Sequence, residues 1–189
     1  DGFAAQDARV EEQLCPELEK EEYRIQIAPE RIMLTGSGKT GLFYARTTLD
    51  QLRMVYGDML PCMKVADRPA YPYRSFHIDC ARHYFPIDEL KKMIRMSAEF
   101  KLNRFHWHIS DDQGWRIESK CYPRLHEIGA VRGGDYFGNY HSDQPEGGYY
   151  RREEVREIVD YCGQFGIEVV PEIDMPGHVT AILAAYPEL

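Results

Sequence analysis

Tyr23-Arg24-Ile25-Gln26-Ile27 alternates apolar and polar side chains with period two, which predicts a half-buried strand. Pro29-Glu30 turns the chain, and Ile32-Met33-Leu34 predicts the hairpin partner. The period then changes. Leu42, Ala45, Leu49, Leu52 and Val55 fall on one face of a helix over 41–55. Strands with a helix on one side predict a small α+β domain. The charged stretch 12–22 reads as a helix end or a connection. From Met59 to Tyr73 no period holds, and Pro61, Pro69 and Pro72 predict a linker. This puts the small domain at residues 1–66 and a second domain at 67–189.

The second part repeats one pattern. Arg74–Asp79 is a short apolar strand, followed at Pro86 and Asp88 by a helix start. Leu90, Met93, Ile94, Ser97 and Ala98 form its buried face as far as Phe100. Asn103–Ile109 is the second strand, and a helix over 152–164 turns Val155, Ile158, Val159 and Cys162 inward. Ile167–Pro171 is the third strand, with a new helix starting near His178. Strand, helix and strand in this order predict parallel strands whose carboxyl ends carry polar clusters. A closed (β/α)8 barrel takes roughly 250 residues. The pattern therefore predicts an α/β fold: the first three units of a TIM barrel, incomplete before a fourth strand. Residues 122–150 are too long and glycine-rich for an ordinary connection. Gly133-Gly134, Gly138 and Gly147-Gly148, with Tyr136, Phe137 and Tyr140, predict a loop lining a site.

Composition narrows the partners. Hydrophobic residues make up 43% of the 189, enough for a real core. A formal charge of −8 with no lysine-arginine run to lay out a phosphate footprint argues against nucleic acid as a partner. No stretch approaches a membrane span, so no membrane insertion is expected. Asp1 to Arg9 lacks both the basic and the apolar part of a signal peptide, which leaves a secreted, periplasmic or lysosomal-type compartment open. The five cysteines are odd in number and contain no C-x-x-C, which argues against a zinc knuckle or a thioredoxin-like site and favours free thiols. Gly36-Ser37-Gly38-Lys39-Thr40-Gly41 imitates a phosphate loop, but Met33 stands where the first glycine belongs. It reads as a tight turn into the helix, and no cofactor is expected.

The chemistry concentrates in His106-Trp107-His108-Ile109-Ser110-Asp111-Asp112-Gln113-Gly114-Trp115-Arg116 and in Glu172-Ile173-Asp174-Met175-Pro176-Gly177-His178. Successive side chains of a strand point to opposite sides, so Asp111 and Asp112 should do different jobs. One would meet a ligand hydroxyl and the other an arginine or backbone amide. Arg74 opens the first strand, and Asp79, Arg82 and His83 close it. A guanidinium in a cleft rich in acids can donate paired hydrogen bonds to vicinal hydroxyls. Glu172 and Asp174, two apart, offer the paired carboxylates that glycoside hydrolysis requires. Trp115, Tyr136 and Tyr140 suit an aromatic rim around a sugar. His106-x-His108 is also the beginning of a metal site, with Asp79, Glu172, Asp174 or His178 as a third ligand. Packed, hydrogen-bonded histidines are the preferred reading, and no metal is expected.

These segments resemble glycoside hydrolase family 20, the β-N-acetylhexosaminidases. Arg74 with His77-Ile78-Asp79-Cys80-Ala81-Arg82-His83-Tyr84-Phe85-Pro86 is similar to the family's first barrel strand, Asn103–Arg116 to the second, and Val170–His178 to the third. Gly41–Ala45 through Leu49–Leu52 resembles the helix of the small preceding domain. The resemblance implies retaining, substrate-assisted cleavage of terminal β-linked N-acetylglucosamine or N-acetylgalactosamine. Amino-sugar glycans or chito-oligosaccharides would be the partners. It implies that the catalytic Asp-Glu pair ends the fourth strand, beyond Leu189, so no catalytic residue is assigned here and the 189 residues by themselves should be inactive. It implies sugar-hydroxyl binding by Arg74, and pocket support by Asp111 and His178, with Glu172, Asp174, His108 and Trp115 around them. Arg151 departs from the family's Thr or Ser helix cap, a loss of ~1 kcal/mol. A non-catalytic carbohydrate-binding remnant and a metal-dependent hydrolase are the alternatives.

Overall fold

A computed structural model describes residues 2–4, 8–137 and 140–189. The chain divides into two units, Asp1–Tyr73 and Arg74–Leu189. Of the expected rim, Gly138 lies outside the described residues, and Tyr136, Phe137 and Tyr140 are described in their backbone alone.

The first unit contains β1 (Arg9–Leu14), β2 (Tyr23–Ile27), β3 (Arg31–Gly36), α1 (Lys39–Tyr56) and β4 (Met63–Asp67), with sheet order β1-β3-β2-β4. The alternation of β2 buries Tyr23, Ile25 and Ile27, which pack with Ile32 and Leu34 of β3 against Leu42, Ala45 and Leu49 of α1. The turn into α1 needs small residues, since a Cβ on Gly36 would stand 2.4 Å from the Leu42 nitrogen. This close approach, with a Cβ on Gly41 standing 2.6 Å from the Glu22 oxygen, accounts for Gly36 and Gly41 in the stretch that imitates a phosphate loop. Two expectations are corrected. Part of the charged stretch joins β1, parallel to β3, and part of the expected linker is β4, antiparallel to β2.

The second unit is built on three parallel strands in the order β13-β6-β5: β5 (Ser75–Asp79), β6 (Arg104–His108) and β13 (Glu168–Glu172). Helix α2 (Ile87–Glu99) follows β5, and α4 (Arg152–Gly163) precedes β13. Between β6 and α4 lie hairpin β7 (Ser110–Asp111)–β8 (Gly114–Trp115), the helical turn α3 (Arg124–Glu127), and the short strands β9 (Val131–Arg132), β10 (Asp135–Phe137), β11 (Tyr140–Ser142) and β12 (Glu146–Gly147). Helix α5 (Thr180–Ala185) comes last. Strand alternation sorts the two sheet faces. Ile78, Phe105 and Trp107 are buried with Leu90 and Ile94 of α2 and Ile158 and Cys162 of α4 also in the core, while His77, Asp79, His106 and His108 occupy the alternate positions. Among the described residues the strands form no closed barrel. They are an incomplete (β/α) barrel of three strands, preceded in the chain by the small α+β unit.

The N-terminus of α4 shows how a missing cap is offset. An arginine side chain has no acceptor, so Arg151 cannot cap. Instead Glu154 accepts from the Arg151 N–H at 2.7 Å, and Glu118 accepts from the Arg152 N–H at 2.9 Å.

Candidate active site

β5, β6 and β13 end on one rung. Asp79, His108 and Glu172 are register partners there, so all three side chains leave the same face of the sheet. Beyond the rung the chain of β5 turns back, and Arg82 donates through its backbone to Asp79 Oδ1 (3.0 Å) and through Nη1 to Asp79 Oδ2 (2.8 Å). The other arm of Arg82, Nη2, pairs with Asp111 Oδ2 at 2.5 Å, and Nε donates to Gln113 Oε1 at 3.1 Å. Burial raises the Asp79 carboxyl, but the Arg82 amide and guanidinium outweigh it and hold its pKa below the ordinary value.

Asp111 is the hub. Its side chain is 1% exposed and meets Arg82, His108 Nε2 at 3.0 Å, the Asp112 N–H at 2.6 Å and His178 Nδ1 at 3.2 Å. A carboxylate that deeply buried survives only with partners of this kind. Asp112 does a different job. Its Oδ1 accepts from the Thr180 N–H (3.1 Å) and hydroxyl (2.6 Å) at the start of α5. Those hydrogen bonds keep its pKa below the ordinary value.

Glu172 sits among histidines: His106 Nε2 at 2.5 Å, His108 Nδ1 at 3.0 Å and His77 Nε2 at 3.9 Å from its Oε2. Burial raises its carboxyl, but His108 and His106 together outweigh that and lower it. For His77, burial and then the two neighbouring imidazoles push the pKa below its ordinary value. Among the described residues three groups bring ligand-type atoms within 4.8 Å of one another: His77–His108–Glu172, His108–Asp111–Asp174 and Asp111–Asp112–His178. The backbone N–H of Asp174 donates to Ser110 Oγ at 3.0 Å, which ties the loop after β13 to β7.

The structure thus brings Asp111, His178, His108, Glu172 and Asp174 together at the strand ends. It does not bring Arg74 there. Arg74 precedes β5 at its amino end, about 16 Å along the strand from Asp79 at ~3.3 Å per residue. Its amide donates to Asn103 Oδ1 (2.9 Å) and its Nε to the Lys101 carbonyl (2.9 Å). A strand carries residues five apart to its two ends, and the expectation for Arg74 is corrected accordingly. Trp115 is also corrected. It is 8% exposed, packs with Leu125 and Ala185, and donates from Nε1 to the Ile117 carbonyl at 2.6 Å. The hairpin turns its indole into the core, leaving no face for a sugar.

With this geometry in hand, residues 71–189 match glycosyl hydrolase family 20, catalytic domain, and residues 3–68 match domain 2 of the same family. The chain belongs to glycosyl hydrolase family 20. It is 42% identical to a β-hexosaminidase of Akkermansia muciniphila over 180 residues, covering 94% of this chain and 36% of that protein. A β-hexosaminidase of Vibrio furnissii is 40% identical, over 92% of this chain and 29% of its own length. The crystal structure of a Bacteroides fragilis β-N-acetylhexosaminidase superposes with a TM-score of 0.83 at 41% identity, over 95% of this chain and 36% of that one. The family 20 exo-β-N-acetylglucosaminidase of Vibrio harveyi, in complex with N-acetylglucosamine, does so with a TM-score of 0.87 at 36% identity, over 95% and 29%. The family 20 chain spans about a third of the length of the curated relatives it matches, 36% and 29% for the two above.

Sequence reasoning missed the supports beneath this cluster. Arg116 is fully buried and donates to the carbonyls of Cys80 (2.9 Å), Ala81 (2.8 Å), Ala130 (2.5 Å) and Gly148 (3.3 Å). One side chain therefore fastens the turn after β5 to the glycine-rich loop. Glu146 joins the same network through Arg132 (3.0 Å), His83 (3.2 Å) and the Tyr84 N–H (3.0 Å). Gly147 makes that approach possible: at φ 147° its missing Cβ would lie 2.0 Å from the Ala130 oxygen. Arg82 had a signal that was available. It lies beyond the carboxyl end of its strand, where parallel α/β folds keep their sites.

Proposed function

We propose that these residues serve a β-N-acetylhexosaminidase, a glycoside hydrolase that removes terminal β-linked N-acetylglucosamine or N-acetylgalactosamine in a protein longer than the 189 residues. The observation that carries the reading is the Arg82–Asp111–His178 cluster at the strand ends, within a chain 40–42% identical to named β-hexosaminidases. Arg82 is oriented by Asp79 and Asp111, and its outer edge can donate to vicinal hydroxyls of the non-reducing sugar. Asp111 and His178 form a relay whose free imidazole edge supports a general acid supplied from outside this stretch. We take the domain change to fall at 67–69, where β4 ends.

In the retaining, substrate-assisted route, the sugar's acetamido oxygen attacks the anomeric carbon as the bond to the leaving oxygen breaks. A glutamic acid gives its proton to that oxygen. Water then opens the oxazolinium at the anomeric carbon and returns a proton to the glutamate. Neither the acid nor its acetamido-orienting aspartate is assigned among these residues, so the 189 residues alone should not turn over. General acid catalysis by itself contributes roughly 10²- to 10⁴-fold. The test is release of 4-nitrophenol from 4-nitrophenyl N-acetyl-β-D-glucosaminide. The longer protein should be active, and the 189-residue chain should match its blank. Turnover that follows the short chain through repurification would contradict the assignment, as would an inert longer protein.

A further inference from the structure

We propose that His77 Nε2, His108 Nδ1 and Glu172 Oε2 form a binding site for one divalent cation of the zinc class. His108 carries the argument. Its side chain is 4% exposed, its Nδ1 makes no hydrogen bond, and Glu172 Oε2 nevertheless lies 3.0 Å away. These two atoms and His77 Nε2 lie within 4.8 Å of one another, the spacing of neighbouring ligands. Bonds of about 2.0–2.1 Å to a four-coordinate zinc separate its ligands by about 3.3–3.4 Å. The distances of 3.0 Å from His108 and 3.9 Å from His77 to the Glu172 oxygen bracket that separation.

The surroundings are those of ligands already oriented. His108 presents its other nitrogen, Nε2, to Asp111 Oδ2 at 3.0 Å. A carboxylate on the far nitrogen fixes the tautomer that leaves Nδ1 with a lone pair, the usual outer partner of a metal-bound imidazole. Arg82 Nη1 also lies 3.3 Å from Nε2, but it has a shorter contact with Asp79 Oδ2 at 2.8 Å. His106 Nε2 lies 2.5 Å from the same Glu172 Oε2 and fixes its position. Two imidazoles and a carboxylate suit zinc, copper or nickel better than magnesium or calcium, which prefer oxygen alone. The His77 side chain is 48% exposed, which leaves a route for the ion and a fourth position for water.

The site is independent of the hydrolase reading, and its test needs no activity. Protein stripped with a chelator, given Zn²⁺ alone and desalted, should retain one zinc per chain by elemental analysis. Co²⁺ in its place should show the visible bands of a four-coordinate ion. Loss of an outer partner already weakens metal binding about 10–100-fold. His77→Ala and the isosteric Glu172→Gln should therefore each weaken zinc binding at least ~10-fold, with unaltered far-UV circular dichroism. His126→Ala, which removes an imidazole outside the cluster, should leave the stoichiometry at one. Substoichiometric zinc in the unmodified protein, or full affinity in either folded variant, overturns the site.

Discussion

Arg74 and Arg82 stand at opposite ends of one strand and live in different surroundings. Arg74 meets backbone and amide oxygens, the Lys101 carbonyl through Nε and Asn103 Oδ1 through its amide. Arg82 meets two carboxylates, Asp79 and Asp111, with imidazole beside them. The amino end of the sheet combines these hydrogen bonds with an ion pair, Arg104–Glu168 at 3.0 Å, whereas the carboxyl end gathers several carboxylates, imidazoles and Arg82 into one network. That is the division expected of a parallel α/β fold, in which one end carries stability and the other carries chemistry.

The largest expected effect breaks the charged end at its hub. Asp111→Asn keeps the shape but removes the charge that holds Arg82 and His178, and in the longer protein kcat/KM should fall at least ~100-fold. Steady-state kinetics on an aryl N-acetyl-β-glucosaminide would show it, and a change under threefold would mean the hub does not matter. Arg116→Met tests the support beneath. It strips the donors from four carbonyls. Stability should fall by roughly 3–5 kcal/mol, read as a melting temperature lower by about 6–20 °C. Asp112→Ala is expected to be milder than its neighbour, about 1 kcal/mol from the lost cap of α5. Its kcat/KM should stay within a few-fold of the unmodified protein.

How these regions compare with the sequence pattern depends on burial. In the small unit β2 and β3 are central and announce themselves by alternation, since one face is buried. The edge strands β1 and β4 did not. β1 is exposed at nearly every position, and Val65 in β4 is only partly buried. Edge strands are held by pairing with a neighbour, which a single segment cannot advertise, and charges on them are normal protection. The grouping of Asp111, Glu172, Asp174 and His178 at the strand ends was legible because polar residues at the end of an apolar strand have few structural uses. Arg74 misled because it adjoins the same strand, and only the strand's direction separates it from Arg82. Trp115 misled because an aromatic beside acids suits a rim, whereas the hairpin β7–β8 rotates it inward. Arg116 and Glu146 act across chain separations that no local pattern reveals.

The smallest effect is in pH. Asp79 and Glu172 both have folded pKa values below their ordinary ones. Their contribution to stability is fully present above the unfolded carboxylate range, about 3.9–4.3, and is lost as pH falls through the lower folded values. Below about pH 5 the stability difference between the unmodified protein and Glu172→Gln should shrink as the carboxylate takes up its proton. A difference that grows toward acid would reverse the sign of this argument.

The contrast between the two arginines is tested most directly by making the same conservative change at each end. In the longer protein, kcat/KM on 4-nitrophenyl N-acetyl-β-D-glucosaminide should fall at least ~100-fold for Arg82→Lys, because a point charge cannot span Asp79, Asp111 and a pair of hydroxyls. Arg74→Lys should stay within about threefold, with about 1 kcal/mol of stability lost from its carbonyl contact. Equal losses at the two positions, or a larger loss at Arg74, would contradict the account.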